Sequence, residues 1–176
     1  MQDILSDFSC PNVDVERFLL HDAVSFTRQD KSVTYLVFEA ESAVLAGYYA
    51  VAIKPLSIKS DKISKTAAKK IARVSILDEE SGTYTTSAYL IAQLGKNYSL
   101  PPERRIAGND LLDFALRTVA EGKFGFGGVV QFLECADLPF LLDFYAANSF
   151  RLFDFRMTRH HGESASFKLH QLLRFI

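Results

Sequence analysis

Apolar and polar positions alternate along this chain with two periods, and the change between them marks out its elements. From Val13 to Arg28 the apolar residues Val15, Phe18, Leu19, Ala23 and Phe26 fall on one broad helical face, with Asn12 or Asp14 as the cap. Val33 to Phe38 is β-branched and aromatic and predicts a strand. Val44 to Ile53 predicts a second strand, paired with the first as a hairpin, and Gly47 inside it marks a bulge. Ser64 to Arg73 predicts a short basic helix, and Asp78 to Gly82 a polar loop. Thr83 to Leu94 is nearly continuous in apolar residues after Ser87, as in a strand buried on both faces. Leu111, Leu112, Ala115, Leu116 and Val119 repeat at helical spacing, so a helix is expected over about 109–121. The four glycines of Gly122 to Gly128 are expected to turn the chain. A strand over Val129 to Glu134, a helix over Leu138 to Ala147 capped by Asn148, and strands over Phe150 to Met157 and Phe167 to Ile176 complete the pattern. The order αββ(α)βαβαββ predicts an α/β fold, a central mixed β-sheet flanked by helices, in a single domain over residues 1–176.

Composition changes this picture little. A chain of 176 residues with 48% hydrophobic content and 15 phenylalanines fills one core. The formal net charge of −1 gives no polyelectrolyte character overall, so any nucleic-acid surface must be a local patch. One local excess exists. Lys54, Lys59, Lys62, Lys65, Lys69, Lys70 and Arg73 face a single Asp61 in that stretch. It reads either as a solvated surface or as a stripe following a phosphate backbone, with Lys65, Lys69 and Lys70 as the contacts. The two cysteines, Cys10 and Cys135, have no metal-ligand spacing and are expected as reduced thiols in a cytoplasmic protein. His160-His161 is expected to be solvated, and no metal site is expected. The longest apolar run, Ala43 to Ile53, has 11 residues and is too short to cross a bilayer.

The candidate chemistry gathers after the long apolar strand. Residues 88–109 lead from a strand through a loop with Arg104 and Arg105 to Gly108 at a helix start. Free N–H groups and the helix dipole at such a start favour an anion, and the arginines add fixed positive charge. The spacing Arg105-x-x-Gly108 resembles the pyrophosphate loop of the GNAT N-acetyltransferases, written Gln/Arg-x-x-Gly-x-Gly/Ala, with Asp110 in the last position here. A second segment also resembles that family. It runs from Leu133-Glu134-Cys135-Ala136-Asp137 to Leu141-Leu142-Asp143-Phe144-Tyr145, then Asn148-Ser149-Phe150, with Ser149 where the family usually has glycine. Phe8 to Asn12, Phe18 to Ala23, Thr34 to Val37 and Gly47 to Ala50 are similar to the opening of GNAT toxins from toxin–antitoxin pairs.

The resemblance implies the GNAT acyl-CoA N-acyltransferase fold and transfer of an acetyl group from acetyl-CoA to a primary amine. The backbone of Leu94, Gly95 and Lys96 would bond the pantetheine arm, and Arg104, Arg105, Ile106, Ala107, Gly108, Asn109 and Asp110 would cradle the pyrophosphate. Tyr145 would protonate the departing thiolate; the plainer reading is a core aromatic beside Phe144. Glu134 is the candidate base, against a surface or salt-bridged carboxylate. The toxin-like segments imply aminoacyl-tRNA as the acceptor, an antitoxin partner and a possible homodimer. An amine on a small molecule or protein, or a non-catalytic acyl-CoA-binding module, are the alternatives.

Overall fold

The helix expected over 13–28 forms in three pieces. The computed structural model describes residues 5–159 and 166–176. α1 (Val13–Arg17) is capped by the Asn12 side chain, which accepts from the N–H groups of Asp14 and Val15; a π-helical turn follows over Phe18–Asp22, then α2 (Ala23–Arg28). The π turn widens the helix by one residue without disturbing the apolar face, so no sequence period betrays it.

β1 (Val33–Phe38) and β2 (Leu45–Lys59) pair antiparallel, with Tyr35 opposite Tyr49 and their rings stacked at 5.0 Å. The register shifts between Val37 and Phe38, opposite Gly47 and Leu45, so the expected bulge is present. A Cβ on Gly47 would stand 2.7 Å from the Gly95 carbonyl oxygen, so the two backbones approach as only glycine allows. β2 is longer than expected. Lys54 and Lys59 belong to it rather than to a basic connection, because Leu56 and Ile58 alternate into the core between exposed residues.

α3 (Lys65–Ile71) starts at Ser64, whose hydroxyl accepts from the Ala67 N–H. β3 (Leu77–Asp78), too short to read from sequence, pairs with the start of β4 (Thr83–Lys96). α4 (Gly108–Phe126) runs through Gly122 and Gly125, well past the expected end near 121. Gly122 does not break the helix because it serves packing: a Cβ there would stand 2.9 Å from the Tyr89 ring. Gly127 and Gly128, with φ of +77° and +106°, make the turn instead. β5 (Val130–Ala136), α5 (Pro139–Ala147), β6 (Arg151–Arg159) and β7 (Ser166–Phe175) follow close to expectation. His160-His161 lies outside the described residues.

The strands form one mixed seven-stranded sheet in the order β1-β2-β4-β5-β7-β6, with β3 on β4. By its contacts the chain divides into two compact units, each discontinuous in sequence. The first takes residues 1–52 and 91–119. Its core places the Tyr48 ring between Phe8 and Phe18, with the Tyr48 hydroxyl donating to the Val15 carbonyl at 2.6 Å. Leu111, Leu112, Ala115 and Val119 bury the inner face of α4, as their spacing predicts. The second unit takes residues 53–90 and 120–176, around Ile58, Ile71, Val130, Phe132 and Leu173.

Candidate functional site

In the first unit, the segment that links β4 to α4 is tied down by a side chain that the sequence did not single out. Asn97 is 2% exposed. Its Nδ2 donates to the Leu45 carbonyl at 2.9 Å, and its Oδ1 accepts from the N–H of Ser9, the N–H of Ser99 and the Ser99 hydroxyl. Its own N–H donates to Ala46, and the next residue, Tyr98, donates to the Ser9 carbonyl. The only sequence signal is the Asn-x-Ser spacing, in which an Asn side chain bonds the backbone two residues on. Gly95, just before it, is buried against the first unit's core: a Cβ would stand 2.5 Å from the Tyr48 ring and 2.7 Å from Val15. Its lack of a side chain is therefore demanded by packing, whatever its backbone also binds.

Both loop arginines have partners within this unit. Arg105 donates from Nε to the Leu100 carbonyl at 2.7 Å and from Nη2 to the Tyr98 carbonyl at 3.1 Å, with its guanidinium 4.9 Å from the centre of the Tyr98 ring. Arg104 makes a two-point pair with the Glu39 carboxylate at the end of β1. That pair holds the Glu39 carboxyl below its ordinary range, chiefly through the Arg104 hydrogen bond and next through that of Ser42. Arg105 thus folds the loop over Pro102–Arg104 while the planar fork keeps further N–H groups. Ile106 and Ala107 lead into Gly108, the first residue of α4, and Asn109 and the exposed Asp110 stand in its first turn. A carboxylate is well placed there, since the helix dipole favours negative charge at this end.

In the second unit, Tyr145 lies on α5 and is 9% exposed. It occupies the third position from the end of a Schellman motif. The Phe150 N–H donates to the Tyr145 carbonyl and the Ser149 N–H to the Ala146 carbonyl, both at 3.0 Å. The rings of Tyr145 and Phe150 meet edge to face at 5.9 Å. Ser149 has a φ of +67°, so the left-handed turn that usually takes glycine is kept with serine. Burial, then the neighbouring Cys135 thiol, pushes the Tyr145 phenol above its ordinary range; burial pushes the Cys135 thiol itself to about 11.

Glu134 on β5 is an ion-paired carboxylate. Arg156 on β6 donates to both of its oxygens at 2.7 and 2.6 Å, and Gln171 on β7 adds a third bond at 2.8 Å. Burial pushes this carboxyl up, but the bonds from Arg156 and Gln171 outweigh it and the group sits below its ordinary range. The buried His170 places Nε2 2.9 Å from an Asp137 oxygen, at ion-pair distance but without hydrogen-bond alignment. On α3, Lys65, Lys69 and Lys70 are exposed while Ile71 is buried. Lys65 and Lys69 share one side, and the Lys70 ammonium stands 4.9 Å over the Phe175 ring. Lys62 lies in a separate turn and Arg73 beyond the helix, so the stripe is shorter than expected. Among the described residues, no group of three or more His, Cys, Asp or Glu could hold a metal ion, and no helix is long and apolar enough to cross a membrane.

No protein-family model and no curated protein matches the sequence. Solved structures do match the fold. AtaT complexed with acetyl-methionyl-tRNAfMet superposes with a TM-score of 0.66 at 15% identity, over 94% of this chain and 85% of that one. A tyrosine-to-phenylalanine variant of KacT gives 0.65 at 16% identity, over 96% and 86%. The chain has the GNAT fold of these toxins. An AtaT variant bound to the C-terminus of the antitoxin AtaR and acetyl-CoA gives 0.60 at 16% identity, over 97% and 84%. At these identities the likeness concerns the fold, which agrees with the fold that the sequence predicted.

Proposed function

We propose that this chain is an acetyl-CoA-dependent N-acetyltransferase of the toxin type, acting in the cytoplasm on the amino group of aminoacyl-tRNA. The observation that carries the reading is Tyr145, held in a Schellman motif ahead of Asn148-Ser149-Phe150 within a GNAT fold. The AtaT structures with acetyl-methionyl-tRNAfMet, and with acetyl-CoA and the antitoxin AtaR, support the acceptor, the acetyl donor and an antitoxin partner in turn. A homodimer is compatible with this reading and is not needed by it.

The residues take the following parts. The first turn of α4, with Gly108, Asn109 and Asp110, presents N–H groups to the pyrophosphate, and the loop of Arg104, Arg105, Ile106 and Ala107 adds charge. Backbone N–H groups around Leu94, Gly95 and Lys96 bond the pantetheine arm and the acetyl carbonyl. The acceptor nitrogen forms its bond to the acetyl carbon, the carbon–sulfur bond breaks, and the Tyr145 phenol gives its proton to the leaving sulfur. A phenol pushed up by burial stays protonated at neutral pH, as an acid must. The phenolate recovers its proton from the amine nitrogen, which must lose one on acylation. Glu134 could accept that proton only after leaving Arg156, so the reading gives it the part of a cross-strand clamp over β5, β7 and β6. Lys65, Lys69 and Lys70 contact RNA phosphates.

The test is to incubate the protein with radiolabelled acetyl-CoA and a panel of charged tRNAs, small amines and a protein digest. Label on the aminoacyl group of tRNA supports the reading. Label on a small amine or protein alone keeps the enzyme and replaces the acceptor. Binding of acetyl-CoA with no transfer to any acceptor would leave the non-catalytic module.

A further inference from the structure

The short link from β5 to α5 carries an ionic grip that the chemistry above does not use. Cys135 stands opposite His170 in the register of β5 and β7, and the two share the face of the sheet opposite to Glu134 and Gln171. Two residues on, Asp137 turns back to β7. Lys168 donates to its Oδ2 at 3.3 Å, and the His170 Nε2 stands 2.9 Å from its Oδ1. The two arms are unequal. Lys168 is partly exposed, so its attraction is screened and worth little. His170 is buried, and neither ring nitrogen has an aligned hydrogen bond. Among the described residues, Asp137 is the carboxylate at ion-pair distance from it. The Asp137 carboxyl sits below its ordinary range, through His170 first and Lys168 next.

What this grip holds is the start of the helix that bears Tyr145. α5 begins at Pro139, with Leu138 in the cap position and no side chain bonded to the first turn. Asp137 stands next to those free N–H groups, yet its two oxygens are turned to β7. The Leu138 N–H donates to the Ala136 carbonyl at 2.8 Å, which closes the link into a tight turn. A helix of nine residues is stiff, so its bearing is set at its ends. At the far end Phe150 holds Tyr145 by its ring and its N–H. At the near end the tether is Asp137. Leu138, Leu142 and Tyr145 follow one another at helical spacing on one side of α5. Cys135, opposite His170, also neighbours the Tyr145 phenol. All these groups lie inside the second unit.

We propose that Asp137, held by His170, is a positioning residue for the Tyr145 phenol: it fixes the start of α5 and so the place of the hydroxyl that the helix carries. The proposal rests on the reading of Tyr145 as the acid and adds what aims it. Asp137 is half-exposed, so alanine there opens no cavity and the fold should stand. In transfer from radiolabelled acetyl-CoA to a mixture of charged tRNAs, Asp137→Ala should lower kcat about ten- to hundred-fold at unchanged KM for acetyl-CoA, as for a group displaced by up to about 1 Å. Asp137→Asn, whose amide oxygen can still meet the imidazole, should recover most of the rate, and Lys168→Ala should change it little. In the Tyr145→Phe background, Asp137→Ala should cost nothing further, because the two act through one group. A full further loss in that background overturns the proposal. So does an unchanged kcat in Asp137→Ala, or an effect on KM alone. Nuclear magnetic resonance of isotope-labelled tyrosine gives a reading without turnover, with the Tyr145 signal identified by its absence in Tyr145→Phe. That signal should move in Asp137→Ala and keep its place in Asp137→Asn. If wild type acetylates no acceptor, the reading of Tyr145 as the acid fails, and the signal alone decides whether Asp137 positions the ring. A Tyr145 signal that stays in place in Asp137→Ala overturns the proposal in either case.

Discussion

Replacing Asn97 by alanine should loosen the whole connection between β4 and α4. The side chain makes four hydrogen bonds: one to Leu45, one from Ser9 and two from Ser99. Ser99 is exposed, so water can take over its two donors at little cost. The Leu45 carbonyl and the Ser9 N–H cannot be rescued as easily, because Leu45 is buried and the Ser9–Asn97 bond is partly so. Each buried group left without a partner costs about 1–3 kcal/mol. The two together cost about 2–6 kcal/mol, reduced if water enters the vacated space. For a chain of this size each kcal/mol moves the midpoint by about 2–4 °C, so the melting temperature should fall by about 4–24 °C. Differential scanning calorimetry measures this directly. Asn97→Asp keeps the acceptor but sets a buried carboxylate oxygen against the Leu45 carbonyl, so at neutral pH it should destabilise at least as much as alanine. A shift below about 1 °C for Asn97→Ala would refute the idea that this side chain organises the loop.

The other predictions concern the second unit. Tyr145→Phe removes one hydroxyl and little volume, so stability should hold while the rate of acetyl transfer falls about 10²–10⁴-fold at nearly constant acetyl-CoA affinity; an unchanged rate would assign the proton to another donor. The Glu134 carboxyl is depressed in the fold, so its pair with Arg156 contributes stability that is complete above the unfolded pKa of about 4.3 and is lost as pH falls through the lower folded value. Glu134→Gln should therefore flatten the loss of stability on acidification, as followed by denaturant midpoints across that window. Ser149→Gly should stabilise the chain by about 0.5–1 kcal/mol, since glycine avoids the cost of a left-handed serine but gives back part of the gain in unfolded-state entropy. A neutral or destabilising result would show that the serine side chain contributes to the turn.

The parts that were legible in the sequence are those carried by local periodicity. The start of α4 and its buried face of Leu111, Leu112, Ala115 and Val119 follow from helical spacing, and the β1–β2 hairpin follows from β-branched runs around a glycine bulge. Two lengths were misjudged because composition masked period. Lysines and Pro55 hid the alternation of Leu56 and Ile58 in β2, and Gly122, which packs against Tyr89, looked like a breaker in α4. The arginines were visible as charges, but their present partners were not: nothing in a sequence shows that Arg105 turns back onto the carbonyls of Leu100 and Tyr98. Asn97 was missed for the same reason, since its partners Leu45 and Ser9 are distant in sequence. The pair of Glu134 with Arg156 crosses two strand boundaries and needed the order β5-β7-β6 to be known.

Isothermal titration calorimetry with acetyl-CoA tests the central claim most directly. One saturable site per chain is expected, with affinity weakened about ten-fold or more in Arg105→Ala through the lost charged hydrogen bond. Asn97→Ala should weaken it as well, by releasing the loop that bears Arg105. Absence of any binding heat up to millimolar acetyl-CoA, with a protein that melts cooperatively, would contradict the account and leave the strand, loop and helix from Leu94 to Asp110 as a connection only.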